Sequence, residues 1–240
     1  MPPTATVAAS GTTDVAVGNY HTVVNRGGSL WVVGRNRCGQ IGEEDDPYLR
    51  WLTKNVFQVG YGSVQTVHAH SSHSMVMTQD GTVWVTGCNY SGQLGEQGCR
   101  SNVFHKILFT GKAKALVTGS VHSLLLDRDG SLWATGSNED HEFGRNTPSV
   151  YEEHHRFLKV IDSGVMAMAA GEAFSLAVKQ DGSLWGAGKN DHGQLGDGST
   201  WNNPQFTKVY ICSHFMTHKK KNTWNICYSV FCSRRWCIAA

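Results

Sequence analysis

The side chains best suited to chemistry in this chain are three closely spaced histidines, His68, His70 and His73. Residues two apart lie on the same face of a strand, so His68 and His70 could direct two imidazoles toward one metal ion. His73, however, occupies a position that recurs along the chain, where His21 and His122 stand. We therefore interpret it as a structural residue that fills a repeated packing position.

Two other segments begin like ligand-binding loops but do not complete them. Asp127-Arg-Asp129-Gly starts as a calcium loop does, yet Leu132 stands where that loop needs glycine and Asn138 where it needs glutamate. Gly111-Lys112 lacks both the preceding glycine and the following hydroxyl of a phosphate-binding loop. We expect no catalytic residue, no cofactor and no metal site.

The strongest pattern is a repeat built around tryptophan. Four tryptophans stand 53, 49 and 52 residues apart: Trp31, Trp84, Trp133 and Trp185. Each is followed by glycine three residues on, asparagine five residues on and glycine again eleven residues on. Self-similarity at a period of about 50 residues predicts one supersecondary unit stacked several times.

The pattern within each unit predicts a small antiparallel sheet. Asp-Gly or Gly-Gly between two apolar runs predicts a tight hairpin, because such turns need positive φ angles. Two further strand-like segments precede each hairpin, for example Phe157–Ile161 followed by Val165–Ala169. Four short strands per unit without an amphipathic helix predict a β-propeller of four-stranded antiparallel blades. We expect Asn203–Val209 to open a fifth unit that is not completed.

These residues carry a family resemblance. The pattern Gly-x-x-His-Ser/Thr, then Asp-Gly-x-Leu-Trp-x-x-Gly-x-Asn-x-x-Gly-Gln-Leu-Gly, resembles the regulator of chromosome condensation repeat. Departures are His70 at a glycine position, Phe174 at a histidine position, and His141-Glu-Phe in place of Gly-Gln-Leu. The resemblance covers about residues 7 to 206. It implies an all-β propeller, and members of this family usually close a ring of seven blades.

The resemblance also sets the domain prediction. Residues 1–206 form four propeller repeats, and residues 207–240 form a divergent basic, cysteine-rich tail that matches no repeat. With four blades instead of seven, we expect an open partial ring. The terminal blades would then expose apolar faces, which favours self-association.

Charge and cysteine content differ between the two parts. Residues 1–206 hold 15 basic and 19 acidic residues, a balance of −4, whereas the tail holds six basic residues and no acid. An acidic body argues against nucleic-acid binding by the propeller. No signal peptide or membrane-spanning stretch is recognisable, so we expect no membrane contact and a cytoplasmic or nuclear location. We accordingly expect Cys38, Cys88 and Cys99 to be buried or half-buried free thiols.

The recurrent residues are interpreted as structural, so binding is expected in loops that differ between repeats. Two such segments, residues 43–51 and 138–156, combine acidic residues with aromatic residues or arginine, which are common at protein interfaces. The candidate partner-binding residues are Glu43, Glu44, Asp45, Asp46, Tyr48, Arg50, Trp51, Glu139, Asp140, Tyr151 and Arg156.

The sequence therefore predicts a non-enzymatic repeat propeller that serves as a protein–protein interaction module or scaffold. The resemblance leaves two alternatives open. One is a guanine-nucleotide exchange factor for a Ran-like small GTPase, although the even spacing of the repeats leaves no room for the wedge-like insertion used in exchange. The other is a fragment of a larger repeat-containing regulator, such as a ubiquitin ligase.

Overall fold

The computed structural model describes residues 11–42, 48–54, 63–144 and 154–209. Within these ranges the regular structure consists of β-strands arranged in four antiparallel sheets, which are called blades A to D in chain order. The prediction of an all-β propeller of four-stranded antiparallel blades is confirmed.

The strands of each blade follow one another along the chain, and neighbours in sequence are neighbours in the sheet. Blade A contains β1 (Thr12–Val17), β2 (His21–Arg26), β3 (Ser29–Arg35) and β4 (Tyr48–Lys54). Blade B contains β5 (Val64–His70), β6 (His73–Thr78), β7 (Val83–Cys88) and β8 (Arg100–Lys106). Blade C contains β9 (Ala113–Thr118), β10 (His122–Asp127), β11 (Leu132–Gly136) and β12 (His154–Ile161). Blade D contains β13 (Val165–Ala170), β14 (Phe174–Lys179), β15 (Leu184–Gly188) and β16 (Asn203–Val209).

The predicted hairpins are the second and third strands of each blade, which are β2–β3, β6–β7, β10–β11 and β14–β15. The predicted grouping of the outer strands, however, was wrong. β12 pairs with β11 and so completes blade C, instead of opening the unit that contains β13. In the same way β16 pairs with β15 as the outermost strand of blade D and does not begin a fifth blade. A linear repeat shows that two strands lie between hairpins, but only hydrogen bonding decides which sheet each one joins.

The core lies between the blades. Alternate residues of each strand point to opposite faces, so an inner blade can bury both its faces against its neighbours. Three apolar clusters result. Blades A and B bury Val23, Leu30, Val32 and Ile41 against Val64, Val67 and Val76. Blades B and C bury Met75, Met77, Val83, Val85, Leu94 and Ile107 against Ala113, Leu116 and Leu125. Blades C and D bury Leu124, Leu126, Leu132, Ala134 and Phe143 against Val165 and Ala177.

Three inter-blade layers join four blades, so the arrangement is an open arc. The strands of blade A that the structure describes make no contacts with blade D comparable to those between consecutive blades. The predicted open partial ring is therefore what these four blades form.

A polar contact crosses each inter-blade layer at the same place. In each layer the Nε2 atom of a buried histidine lies close to a serine hydroxyl of the following blade. The pairs are His21 with Ser74 at 2.8 Å, His73 with Ser123 at 3.2 Å and His122 with Ser175 at 3.1 Å. Ser74 and Ser123 in turn donate their hydroxyl protons to the carbonyl oxygens of Gln40 and Gln93, at 2.7 and 2.8 Å. Because each of these two hydroxyls already donates, it accepts a hydrogen bond from Nε2–H, which assigns the neutral Nε2–H tautomer to His21 and His73.

Burial keeps these histidines neutral. It lowers the pKa of His21 to about 4 and that of His73 and His122 to about 3. The glycine three residues before the histidine makes room for the ring. A Cβ atom on Gly18 would lie 2.1 Å from Cε1 of His21, and one on Gly119 would lie 2.3 Å from Cε1 of His122. The Gly-x-x-His spacing thus lets the chain turn tightly over the imidazole.

Replacing Ser123 by alanine should destabilise the fold. The substitution Ser123→Ala removes the acceptor of buried His73 and the donor to Gln93, which leaves two buried polar groups without partners. We expect the free energy of unfolding to fall by about 1–3 kcal/mol, measured by urea denaturation. The control is Ser163→Ala at an exposed loop position, which should change stability little. Equal stability of both variants would contradict a structural role for the contact.

Acid should weaken the inter-blade layers through the same histidines. Their folded pKa values lie below the ordinary value of 6.5. Their contribution to the free energy of unfolding is therefore fully present above about pH 6.5 and is lost as the pH falls toward 4 for His21 and toward 3 for His73 and His122. Each histidine should lower this free energy by up to about 1.4 kcal/mol for each pH unit in that range. His21→Gln should flatten the dependence of the urea midpoint on pH between 7.5 and 5. Ser163→Ala, which removes no titratable group, should leave that slope unchanged.

Candidate functional site

The turns and loops at one end of the propeller form a continuous surface, which is called the loop end. It consists of the turns after the first strand of each blade and the loops after the third strand. In an antiparallel blade these connections must emerge at the same end, while the tight hairpins emerge at the other. Backbone hydrogen bonds link neighbouring turns here, from Asn19 N–H to the Ser71 carbonyl at 3.1 Å and from Ser120 N–H to the Glu172 carbonyl at 3.3 Å.

The repeated asparagine gives each loop its shape. In all four blades its Oδ1 atom accepts a hydrogen bond from the backbone N–H five residues further on. The backbone N–H of Ile41 donates to Asn36 at 3.2 Å, that of Leu94 to Asn89 at 2.8 Å, that of Phe143 to Asn138 at 3.1 Å and that of Leu195 to Asn190 at 2.9 Å. Since all four donor residues bury their side chains, each loop is held both by a hydrogen bond and by an apolar anchor.

Further contacts fasten these loops to the following blade. Thr86 Oγ1 donates to the Gly39 carbonyl at 2.7 Å, and Thr135 Oγ1 donates to the Gly92 carbonyl at 2.9 Å. The glutamine of the motif closes the loop itself, since Gln40 Oε1 accepts from Cys38 N–H at 2.9 Å. The polar groups that recur in every copy are thus used internally, which supports their structural interpretation.

The residue directly after each repeated asparagine is exposed and differs from blade to blade. These residues are Arg37, Tyr90, Glu139 and Asp191. Near the first of them, the Arg35 guanidinium lies 5.2 Å from the ring centre of Tyr20. The Tyr20 and Tyr90 side chains are 63% and 62% exposed. The loop end of blades A and B therefore presents aromatic and basic groups.

The loop end of blades C and D carries acidic groups instead. Glu139, Glu172 and Asp191 are exposed, and Asp140 Oδ1 accepts a hydrogen bond from Asn202 Nδ2 across the two blades at 2.9 Å. On blade D the carboxylate of Asp191 is paired with Lys189 at 3.6 Å and with His192 at 2.8 Å, so acidic and basic groups both occur there. Such an arrangement can orient a partner of complementary charge and can supply aromatic and arginine contacts.

Only part of the predicted partner-binding set can be placed. Glu43, Glu44, Asp45, Asp46 and Tyr151 lie outside the described residues, whereas Tyr48, Arg50 and Trp51 belong to β4 of blade A. Glu139 and Asp140 lie on the loop end of blade C, and Arg156 lies exposed on β12 of the same blade. The described residues of the two segments thus belong to blades A and C, between which blade B lies. Their role in binding stays a prediction.

Sequence reasoning missed Tyr20, Arg37, Tyr90 and Asp191 as candidate surface residues. A signal was present for Arg37, Tyr90 and Asp191, because the residue after a repeated asparagine varies between otherwise similar copies. It carried little weight until the blades were assembled, since Arg37 and Tyr90 are 53 positions apart in sequence and Tyr90 and Asp191 are 101 apart.

The expectation of free thiols was wrong for two of three cysteines. Cys38 in the loop of blade A and Cys88 at the end of β7 form a disulfide between blades, with Cα atoms 5.0 Å apart. The physical reason is that inter-blade packing brings together positions 50 residues apart. Cys99 is a free thiol, as expected, but it is exposed and not buried.

The histidines first considered as metal ligands lie in two different environments. His68 and His70 are half-buried on β5, where burial lowers the pKa of His68, while His73 lies in the inter-blade layer. No group of three side chains suited to a metal ion occurs among the described residues. No described segment forms a helix long and apolar enough to cross a bilayer.

Comparison with known sequences agrees with the repeat geometry. The sequence model of the Regulator of chromosome condensation (RCC1) repeat matches residues 13–40, 71–93 and 167–194, and a second model of the same repeat matches residues 181–214. The matched segments are RCC1 repeats. Residues 94–166, which include the divergent third copy, are not matched, yet blade C has the same four-stranded sheet as the others.

Three proteins illustrate the similarity of this chain to others in sequence or in fold. The human E3 ubiquitin-protein ligase HERC2 is 28% identical over 193 residues, which is 78% of this chain and 4% of that protein. The crystal structure of human WBSCR16 superposes with a TM-score of 0.74 at 20% identity, covering 83% of this chain and 53% of that one. Prp20p from Saccharomyces cerevisiae, described with its binding to Gsp1p and histones, superposes with a TM-score of 0.71 at 20% identity, covering 84% and 51%. The chain therefore spans about half of each solved propeller and a small part of the ligase.

The divergent third copy yields a prediction at Glu142, which stands where the other copies have glutamine. Its Oε2 atom contacts the N–H of Asp140 at 3.0 Å, and burial raises its pKa to about 7. The associated stability is present below the ordinary pKa of about 4.5 and is lost as the pH rises toward 7. Glu142→Gln should therefore raise the free energy of unfolding at pH 8 by roughly 1–3 kcal/mol and have little effect at pH 4.5.

The matched control is Glu139→Gln, which neutralises the exposed carboxylate in the same loop. Urea titrations of both variants at the two pH values provide the measurement. If Glu142→Gln raised the free energy of unfolding equally at pH 8 and pH 4.5, the charge of Glu142 would not be the cause of the increase.

Proposed function

We propose that this propeller is a non-enzymatic protein-binding module that contacts its partner with the loop end. The observation that carries the proposal is the set of exposed, variable residues on loops whose recurrent residues are fixed by internal hydrogen bonds. Loops on a rigid scaffold are favoured binding positions, and their preorganisation lowers the entropic cost of association.

The chemistry of this surface supports a partner with two kinds of charge. Tyr20, Tyr90 and Arg37 offer aromatic and basic contacts at one part of the arc, and Glu139 and Asp191 offer acidic contacts at the other. Aromatic residues and arginine contribute disproportionately to binding energy, while charged groups at the rim guide the approach of the partner. The proposal includes the predicted segments 43–51 and 138–156 as further contacts around this surface.

Two more specific roles follow from similar proteins. The resemblance to an exchange factor, together with the fold shared with Prp20p, supports action on a Ran-like small GTPase as the alternative function. The similarity to part of HERC2 supports a binding unit of a larger ubiquitin ligase. We favour the general binding role because the spacing of the repeats leaves no room for the exchange wedge. We further propose a cytoplasmic or nuclear location without contact to membranes, and no nucleic-acid binding by the propeller body.

Charge reversals at opposite ends of the propeller test the proposed surface. Arg37→Glu alters the loop end, and Arg128→Glu introduces the same change in a hairpin of blade C at the other end. In quantitative affinity purification with crosslinking, we expect Arg37→Glu and Tyr90→Ala to reduce recovery of bound proteins at least fivefold. Arg128→Glu should retain them. Equal recovery by all variants would exclude the loop end as the binding surface.

A nucleotide-release assay separates the binding role from the alternative. The purified chain is added to a Ran-type GTPase loaded with a fluorescent guanine nucleotide. We expect no acceleration of release. Acceleration by several orders of magnitude would establish exchange activity and overturn the proposed function.

A further inference from the structure

The disulfide between Cys38 and Cys88 occupies two positions that recur at the other inter-blade layers. Cys38 lies two residues after the repeated asparagine of one blade, and Cys88 lies one residue before the repeated asparagine of the next. The residues at these positions elsewhere are polar, namely Ser91 and Ser137 between blades B and C, and Asp140 and Lys189 between blades C and D. These two layers pack without a covalent link at this place, so the fold does not require one.

Backbone hydrogen bonds position both cysteines without help from their sulfur atoms. The N–H of Cys38 donates to Gln40 Oε1 at 2.9 Å, and the N–H of Cys88 donates to the Ser72 carbonyl oxygen at 2.9 Å. The same contacts are made where the donor is not cysteine, by Ser91, His192, Ser137 and Lys189. The repeat itself thus sets the distance between the two positions, and their Cα separation of 5.0 Å lies within the range that a disulfide requires. The two thiols therefore stay side by side when the bond is open.

The surroundings of the disulfide favour its cleavage by a thiol. Cys38 is half-buried whereas Cys88 is only 8% exposed, so an incoming thiolate reaches Cys38 Sγ first and expels Cys88. Arg100, which pairs with Cys88 across β7 and β8, extends its guanidinium to 3.4 Å from the carbonyl oxygen of Arg37, directly before Cys38. Positive charge close to a thiolate stabilises it and makes it a better leaving group.

We propose that Cys38 and Cys88 form a reversible, redox-controlled link between blades A and B. When oxidised, the link ties the loop that presents Arg37 to blade B; when reduced, it releases this tie while the blades stay packed. This interpretation agrees with the proposed cytoplasmic or nuclear location, because disulfides in reducing compartments are usually transient or redox-sensing. It does not depend on what the loop end binds.

The opening step is a thiol–disulfide exchange with a dithiol reductant. One thiolate of the reductant bonds to Cys38 Sγ as the bond between the two cysteines breaks, and Cys88 leaves as a thiolate that takes up a proton. The second thiol of the reductant then displaces Cys38, which is protonated in turn. The reductant is thereby oxidised to a cyclic disulfide, and the link is reduced to two thiols.

Thiol mapping on the folded chain tests whether the link is reversible. Cys99→Ser removes the exposed free thiol that lies close to Cys88 in sequence, so that labels can be assigned. This chain is equilibrated with increasing ratios of reduced to oxidised dithiothreitol, alkylated and analysed by mass spectrometry. We expect Cys38 and Cys88 to gain label together while the circular dichroism spectrum stays that of the folded chain. A link that never forms, that opens only when urea unfolds the chain, or whose reduction abolishes the folded spectrum would overturn the proposal.

Hydrogen exchange on the same chain tests whether the link restrains the loop. Reduction should raise the exchange rates of the amides of residues 37–42 about threefold or more, because the covalent tie no longer opposes local opening. The matched control carries Cys38→Ser and Cys88→Ser, which gives this layer the serine pair found between blades B and C. It should exchange as the reduced chain does and should not respond to dithiothreitol. Equal exchange in the oxidised and reduced chains, or an equal response of the serine variant, would refute control by this link.

Discussion

The structure depends on burying both faces of every inner sheet against neighbouring sheets. A four-stranded blade has too little core of its own, so stability comes from the layers between blades. The histidine–serine contact is the polar element of these otherwise apolar layers. Because the buried imidazole must keep its hydrogen bond, the contact fixes how one blade is positioned on the next.

The same constraint explains which residues are available for binding. The repeated asparagine, glutamine, threonine and glycine shape the loops and fasten them to adjacent blades. Only the positions between them point outward, and these are the positions at which the copies differ. A scaffold that uses its recurrent polar groups internally can therefore change its surface chemistry from arginine and tyrosine at Arg37 and Tyr90 to carboxylates at Glu139 and Asp191 without altering the loop backbone.

The third copy shows how far the motif can drift. His141 adopts a φ of 67° at a position where the other copies have glycine, and Glu142 replaces a neutral glutamine. Both changes are unfavourable locally, since left-handed backbone strains a side chain and burial disfavours a carboxylate. Blade C nevertheless keeps the loop, because Phe143 is buried in the layer with blade D and Asn138 retains its hydrogen bond to that residue.

The sequence by itself determined the repeat, the central hairpins and the four described blades of an all-β propeller, because these follow from local turn chemistry and from motifs counted along the chain. It also determined that the recurrent residues are structural. Only the tertiary structure decided that β12 and β16 complete the blades before them, that Cys38 meets Cys88, and that Tyr20, Arg37 and Tyr90 share one surface. These relations join residues that are distant in the chain, and they arise from sheet pairing and blade packing, which no local pattern encodes.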